Sequence, residues 1–206
     1  MAVEAFRFSL FGASSVRRAS EIRRIFRRRR GAAPLSVLVA TLIVFFFVVP
    51  KGIAQSEDQI MAAFLFNFAR YVEWPKDAFD AGDAPVMICM LASADFGDVV
   101  SQTVSGKTVA ERPVRVNETS NFMEISGCHI LFIGRDFEQS HLAAVAALGG
   151  SSVFSIADQE GFAEAGGIAN FYRAENRIRF EINPGAAKKA GLKISSQLLR
   201  LAKVVN

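Results

Sequence analysis

The chain has 206 residues, 51% of them hydrophobic, which allows one domain plus a targeting segment and is too apolar for a disordered polymer. The formal net charge of +4 is unevenly spread: residues 1–54 hold ten Lys/Arg against two acids, and residues 55–206 hold fourteen against eighteen. The basic excess therefore sits in the first quarter, and the remainder, at net −4, lacks the cationic surface that nucleic-acid binding needs.

Residues 1–54 have the pattern of a secretory signal peptide. Arg23-Arg24-Ile25-Phe26-Arg27-Arg28-Arg29-Arg30 is a cationic run, Leu35–Val49 is uncharged, and Gly52 and Ala54 are small residues at its end, so cleavage is expected after Ala54. The uncharged run is fifteen residues long, short of the about twenty that a membrane span requires. A cleaved leader is therefore favoured over a retained anchor. Cationic flanks stay cytoplasmic, which sends residues 55–206 out of the cytoplasm, into a bacterial periplasm.

The domain opens with Ser56-Glu57-Asp58-Gln59, a cap residue followed by acids in the first turn of a helix. Met61, Phe64, Leu65, Phe68, Ala69 and Val72 recur at helical spacing, and Glu73-Trp74-Pro75 ends the helix because the residue before proline avoids helical backbone. Phe66 and Tyr71 fall off that stripe. Val86–Leu91 is a near-continuous apolar run of the kind found in a parallel strand covered on both faces. A helix over Ala94–Val104, a short strand at Pro113–Val116, a helical turn in Ser120–Ile125 and a strand at Ile130–Ile133 follow. A helix over Glu138–Leu148, a strand at Val153–Ala157 and a turn at Gly161–Ala165 come next. Gly167–Arg173 and Arg177–Ile182 then flank Ala174-Glu175-Asn176 as a hairpin whose second strand alternates Ile178, Phe180 and Ile182 with charged residues. Helices are expected over Pro184–Ala190 and Ile194–Val205, the second with Ile194, Leu198, Leu201 and Val205 as its apolar stripe.

This alternation predicts a three-layer α/β domain. Its mostly parallel sheet has about six strands, with an antiparallel hairpin at the C-terminal edge and about five flanking helices.

Cys89 and Cys128 are the only cysteines, and an even count outside the cytoplasm suggests one disulfide. The sulfurs can meet if their apolar runs are neighbouring strands; two buried free thiols are the alternative. Cys128-His129 lacks zinc-site spacing, so no metal or other cofactor is expected. The two histidines, His129 and His141, have no Gly-x-Ser-x-Gly elbow, phosphate loop or His-Glu-x-x-His helix to accompany them, so an enzyme is not expected. Asp158 and Glu160 follow a strand, at the carboxyl-end crevice where open α/β sheets bind ligands. Asn67 lies amid the apolar helix with Arg70 one turn on; backbone bonding is favoured for Asn67 over ligand contact, and packing for Trp74. Ser195 or Ser196 suits a helix cap, and the same groups could hold a small anion.

Three stretches, Ala62–Pro75 (AAFLFNFARYVEWP), Arg177–Asn183 (RIRFEIN) and Ala190–Ala202 (AGLKISSQLLRLA), together resemble the YfiR/HmsC family of periplasmic proteins. The resemblance implies a dimeric, secreted α/β domain that binds the periplasmic sensor region of an inner-membrane, YfiN-like diguanylate cyclase and restrains cyclic di-GMP signalling and biofilm formation. It also implies an outer-membrane lipoprotein that can sequester the regulator. Cys89 and Cys128 match the family's disulfide pair, and the second pair of some members is missing here. Glu181 falls in a region tied to partner contact, and Lys193 and Ser195 in one tied to small-ligand contact. A small-ligand sensor module feeding a membrane signalling protein is the alternative function. Phe66 and Tyr71 are expected to contribute to a partner or dimer interface.

Overall fold

The computed structural model describes residues 56–137 and 141–206, which lie within one unit, Ala54–Asn206. The expected leader and its Ala54 cleavage point lie outside the described residues. Ser56 caps α1 (Glu57–Tyr71) through a reciprocal box: Gln59 N–H donates to Ser56 Oγ and Ser56 N–H to Gln59 Oε1, each at 3.2 Å. The helix buries Met61, Ala62, Leu65, Phe68 and Ala69, then passes directly into β1 (Val72–Glu73).

The main sheet is built from β2 (Val86–Leu91), β3 (Thr108–Val109), β4 (Arg112–Glu118), β5 (Ile130–Ile133), β6 (Phe154–Ala157), β7 (Ala169–Ala174), β8 (Arg177–Ile182) and β10 (Lys203–Val204). Their spatial order is β10-β8-β7-β6-β5-β2-β4-β3. All pairs are parallel except β7–β8 and β3–β4. The remaining elements are α2 (Ala94–Val104), α3 (His141–Leu148), α4 (Pro184–Lys189), β9 (Lys193–Ile194), α5 (Ser196–Leu199) and two short 3-10 turns, Lys76–Ala78 and Phe122–Glu124. The described residues thus form a mixed α/β domain with a mostly parallel sheet, an antiparallel hairpin and five α-helices. Its six longer strands are the expected ones, and two-residue strands extend both edges.

Two apolar layers form on opposite faces. Val86, Ile88, Met90, Phe132, Phe154, Phe171 and Phe180 pack under α1 and α2. Cys89, Leu91, Leu131, Ile133 and Phe162 pack with Ala144 of α3. Because alternate residues of β2 and β5 feed both layers, these strands read as continuous apolar runs.

The last segment departs from its expected long helix. Ile194 pairs with Val72 in a small antiparallel β1–β9 ribbon, and only Ser196–Leu199 is helical. Lys203–Val204 then lies parallel to β8, and Val205 N–H donates to Ile182 O at 2.9 Å. The open edge of β8 offered this tail sheet hydrogen bonds, and the β-branched Ile194 and Val204 suit extended backbone. Leu201, placed by helical spacing in the apolar stripe, is instead 72% exposed. The hairpin therefore lies one strand in from the edge.

Candidate functional site

The chain leaves β2 through α2 to reach β4 on one side, then returns to β5 on the other. The carboxyl ends of β2 and β5 thus form the switch point of the sheet. A crevice of about 280 Å³ opens there, lined by Ala92, Ser93, Gly134 and Arg135 from the strand ends and by Glu57, Met61, Asp158 and Arg173 from neighbouring elements. Gly134 allows a close approach: a Cβ there would sit 3.0 Å from Ala92 Cβ, so a larger residue would require the neighbouring strand end to give by a few tenths of an ångström. The Asp158 carboxylate, 7% exposed, accepts from Arg135 Nε and from Arg173 Nη1 at 3.0 Å each, and Arg173 Nε donates to Glu57 Oε2 at 2.8 Å. The network ties α1 to β6, β7 and the turn after β5. Asp158 lies where its position after a strand placed it, whereas Glu160 is exposed and does not line the crevice. Asp158→Ala leaves Arg173 without its buried partner; with both guanidinium groups partly hydrated, a loss of about 1–3 kcal/mol is expected in urea unfolding.

A second constellation covers the outer side of α1 and the start of β2. The Arg70 guanidinium stands 5.9 Å from the Phe66 ring centre and 5.7 Å from that of Tyr71, and Lys107 Nζ is 4.6 Å from that of Phe66. Phe66 and Tyr71 are both half-buried against the core edge. Beside them a cavity of about 380 Å³ is walled by Val72, Trp74, Phe79, Val86, Val109 and Arg112, with Arg70 on its rim. The Arg112 guanidinium lies 4.0 Å from the Phe79 ring centre, and its Nη1 donates to the Ala81 and Ala84 carbonyls at 3.0 and 2.7 Å. The β3–β4 hairpin closes one wall. Its two turn residues, Ala110 (φ 48°) and Glu111 (φ 68°), are both left-handed without being glycine. Sequence reading missed this hairpin, because Ala-Glu carries none of the usual turn signal.

Beneath Phe79 lies His129, 4% exposed and stacked on that ring at 4.2 Å. Met87 N–H donates to His129 Nδ1 at 3.2 Å, which puts the imidazole proton on Nε2; Trp74 Nε1 donates to His129 O at 3.2 Å. Nε2 is buried and has no hydrogen-bond partner among the described residues. Burial, aided by the charge of Arg112, holds the His129 pKa below the usual imidazole value against the opposing Ala78 carbonyl and Asp80. A depressed folded-state pKa favours the neutral ring. This contribution to stability is thus complete above about pH 6.5, the unfolded value, and is lost as pH falls below it, by at most about 1.4 kcal/mol per pH unit. Urea midpoints between about pH 5 and 8 should show that decline, and His129→Asn, which keeps an acceptor for Met87 N–H, should flatten it.

The neighbouring Cys128 is joined to Cys89 by a disulfide, with Cα atoms 5.8 Å apart. Cys89 faces Leu131 across the β2–β5 pair, three residues beyond Cys128; the turn before β5 and the bend at His129 fold Cys128 back over β2, so the meeting depends on that turn and not on strand register. Glu181, 6% exposed, turns its carboxylate to Lys203 Nζ of β10 at 2.6 Å, a bond that raises the lysine pKa. Lys193 is exposed in β9, opposite Glu73. Ser195 caps α5 by accepting from Gln197 N–H at 3.1 Å, and its own N–H donates to Tyr71 O at 2.9 Å. The structure therefore does not bring Glu181, Lys193 and Ser195 to one site: the first faces β10, and the other two tie the C-terminal segment to α1. The side chain of His141 lies outside the described residues. Among the described residues no group of three metal-ligating side chains is assembled, and no helix is long and apolar enough to cross a membrane.

No curated protein matches the chain. Among solved structures, a conserved domain protein from Vibrio cholerae O1 biovar El Tor is similar, with a TM-score of 0.50 at 9% identity over 73% of this chain and 60% of that one. The ABC domain of a Streptococcus pneumonia protein, in complex with L-Trp, gives a TM-score of 0.44 at 12% identity with the same coverage. The chain thus spans 60% of the length of these structures, and the first bears on fold alone. The sequence also matches the YfiR/HmsC-like description over residues 58–203, from the first turn of α1 to β10. With that match running through nearly all of the described residues, the chain belongs to the YfiR/HmsC-like family.

Proposed function

We propose that this protein is a periplasmic negative regulator. It binds the sensor region of an inner-membrane diguanylate cyclase and so restrains cyclic di-GMP signalling and biofilm formation. The observation that carries this reading is the family match over residues 58–203. The family acts at the level of periplasmic regulation of diguanylate cyclases rather than by catalysis. The reading is supported by a leader-like first quarter and by a face on which Phe66, Tyr71 and Arg70 are accessible to another protein. An outer-membrane lipoprotein that sequesters the regulator and a homodimeric assembly belong to the same proposal, as does release of residues 55–206 by cleavage after Ala54.

One observation favours a second role beside the first. The switch-point crevice is where an open α/β sheet would take a small ligand, and a ligand that prefers one state would shift partner binding. The test is capture from solubilised membranes by the C-terminally tagged full chain, with and without reductant. A diguanylate cyclase with a periplasmic region is expected in the oxidised sample. Its absence from both samples contradicts the proposal.

A further inference from the structure

The geometry points to the cavity between Trp74, Phe79 and the β3–β4 hairpin as a docking site for an acidic, aromatic-bearing segment of a partner protein. It takes from the proposed function only that a protein partner exists. The cavity has the two parts that such recognition needs: an apolar pit and cations at its mouth. Trp74, Phe79, Val86 and Val109 form the pit. The Trp74 indole N–H is already given to His129 O, so the ring offers the pit its apolar surface.

Charge selects the occupant. The domain carries fourteen Lys/Arg against eighteen acids, yet this face gathers Arg70, Lys107 and Arg112, none of which has a carboxylate partner among the described residues. All three lie over aromatic rings, which hold the cations in place; Arg70 and Lys107 are exposed, and Arg112 also donates to the Ala81 and Ala84 carbonyls. Of the acids on this face, Glu73 lines the cavity, opposite Lys193 in the β1–β9 register, and Glu111 stands at the hairpin tip. Carboxylates flanking an inserted aromatic ring would meet Arg70 and Arg112, which line the cavity, with Lys107 beside Arg70 over the Phe66 ring.

A peptide segment fits better than a small molecule because β3 is the last strand of the sheet on this side, leaving its outer edge open beside the pit. Backbone pairing along that edge, with one side chain in the pit, is the strand-addition mode of peptide recognition. The left-handed Ala110–Glu111 turn, kept without glycine, holds Val109 and Arg112 against the same cavity.

Trp74 is the only tryptophan in the chain, so its emission reports occupancy directly. The test titrates the protein, isolated from cells expressing the full chain, with a blocked pentapeptide of sequence DEFED, with KKFKK and with phenylacetate. DEFED should give a saturable change in Trp74 emission that weakens as salt is raised, and KKFKK none. Phenylacetate should bind at least tenfold more weakly, having the ring without the flanking carboxylates or backbone. Arg70→Gln combined with Lys107→Gln changes two exposed side chains; it should leave the melting temperature unchanged and weaken DEFED about tenfold. The docking site is overturned if DEFED gives no saturable signal, if KKFKK binds equally, or if phenylacetate matches DEFED. Peptide binding without cyclase capture would count against the regulatory reading alone, and cyclase capture without peptide binding against this site alone.

Discussion

Replacing Phe68 by alanine should lower stability by about 3–5 kcal/mol, the range for truncating a fully buried phenylalanine. For a domain of this size that corresponds to a fall in melting temperature of roughly 6–20 °C. Phe68 is 0% exposed, and it joins α1 to three strands. Its ring centre is 5.3 Å from that of Phe154 in β6, 6.1 Å from that of Phe171 in β7 and 5.1 Å from that of Phe180 in β8. Phe64 completes the cluster at 6.2 Å. Removing one ring leaves a void that four rigid neighbours fill poorly, so both the transfer loss and the cavity term apply. Phe66→Ala, two residues away but half-buried, should cost about 1 kcal/mol or less by comparison. Equal losses for the two variants in thermal unfolding would contradict the assignment of α1 as the helix that organises the core.

Reduction of the Cys89–Cys128 disulfide carries the second large effect. The bridge spans a sequence separation of 39 residues that contains α2, β3 and β4. Loop-closure entropy assigns such a link about 4 kcal/mol through the unfolded chain. The unfolding free energy from denaturant titration with and without reductant should differ by about that amount, seen as a lower midpoint on reduction, and Cys89→Ala/Cys128→Ala should lie near the reduced value in both conditions. Both sulfurs sit in the apolar layer under α3, so the reduced protein keeps its packing partners and is expected to remain folded. An unchanged midpoint would show that the bridge does not constrain the unfolded state.

The sequence was most legible where one residue type had one available role. Ser56 and Gln59 specified a capped helix start, and the period of α1 named its buried face. The apolar runs of β2 and β5 announced strands covered on both sides, which their membership in both apolar layers explains. The β7–β8 turn was legible as well: Glu175 and Asn176, both left-handed, stand between Ala174 and its partner Arg177. Legibility failed where backbone competition decided the outcome. Residues 194–205 have a good helical stripe, yet the free edge of β8 drew Lys203–Val204 into the sheet. The β3–β4 hairpin was missed because its turn adopts a conformation that Ala110 and Glu111 do not advertise.

The candidate sites were legible only in part. Asp158 was placed at the crevice by topology, but Arg135, Arg173 and Glu57, distant in sequence, become its partners only through the strand order. Arg112 and Phe79 carried no sequence signal at all. Their stacking, and the buried His129 below, depend on a turn and a strand meeting in three dimensions. Glu181 stands out through the RFEIN stretch, whereas the β10 lysine that meets it lies in a segment with helical apolar spacing, which hides the pairing.

The most direct test of the regulatory account is the cellular cyclic di-GMP level in a strain lacking this protein, set beside a strain in which the full chain is restored. Deletion should raise cyclic di-GMP and surface attachment, and the restored chain should return both to their starting levels. An unchanged cyclic di-GMP level in the deletion strain would contradict the account.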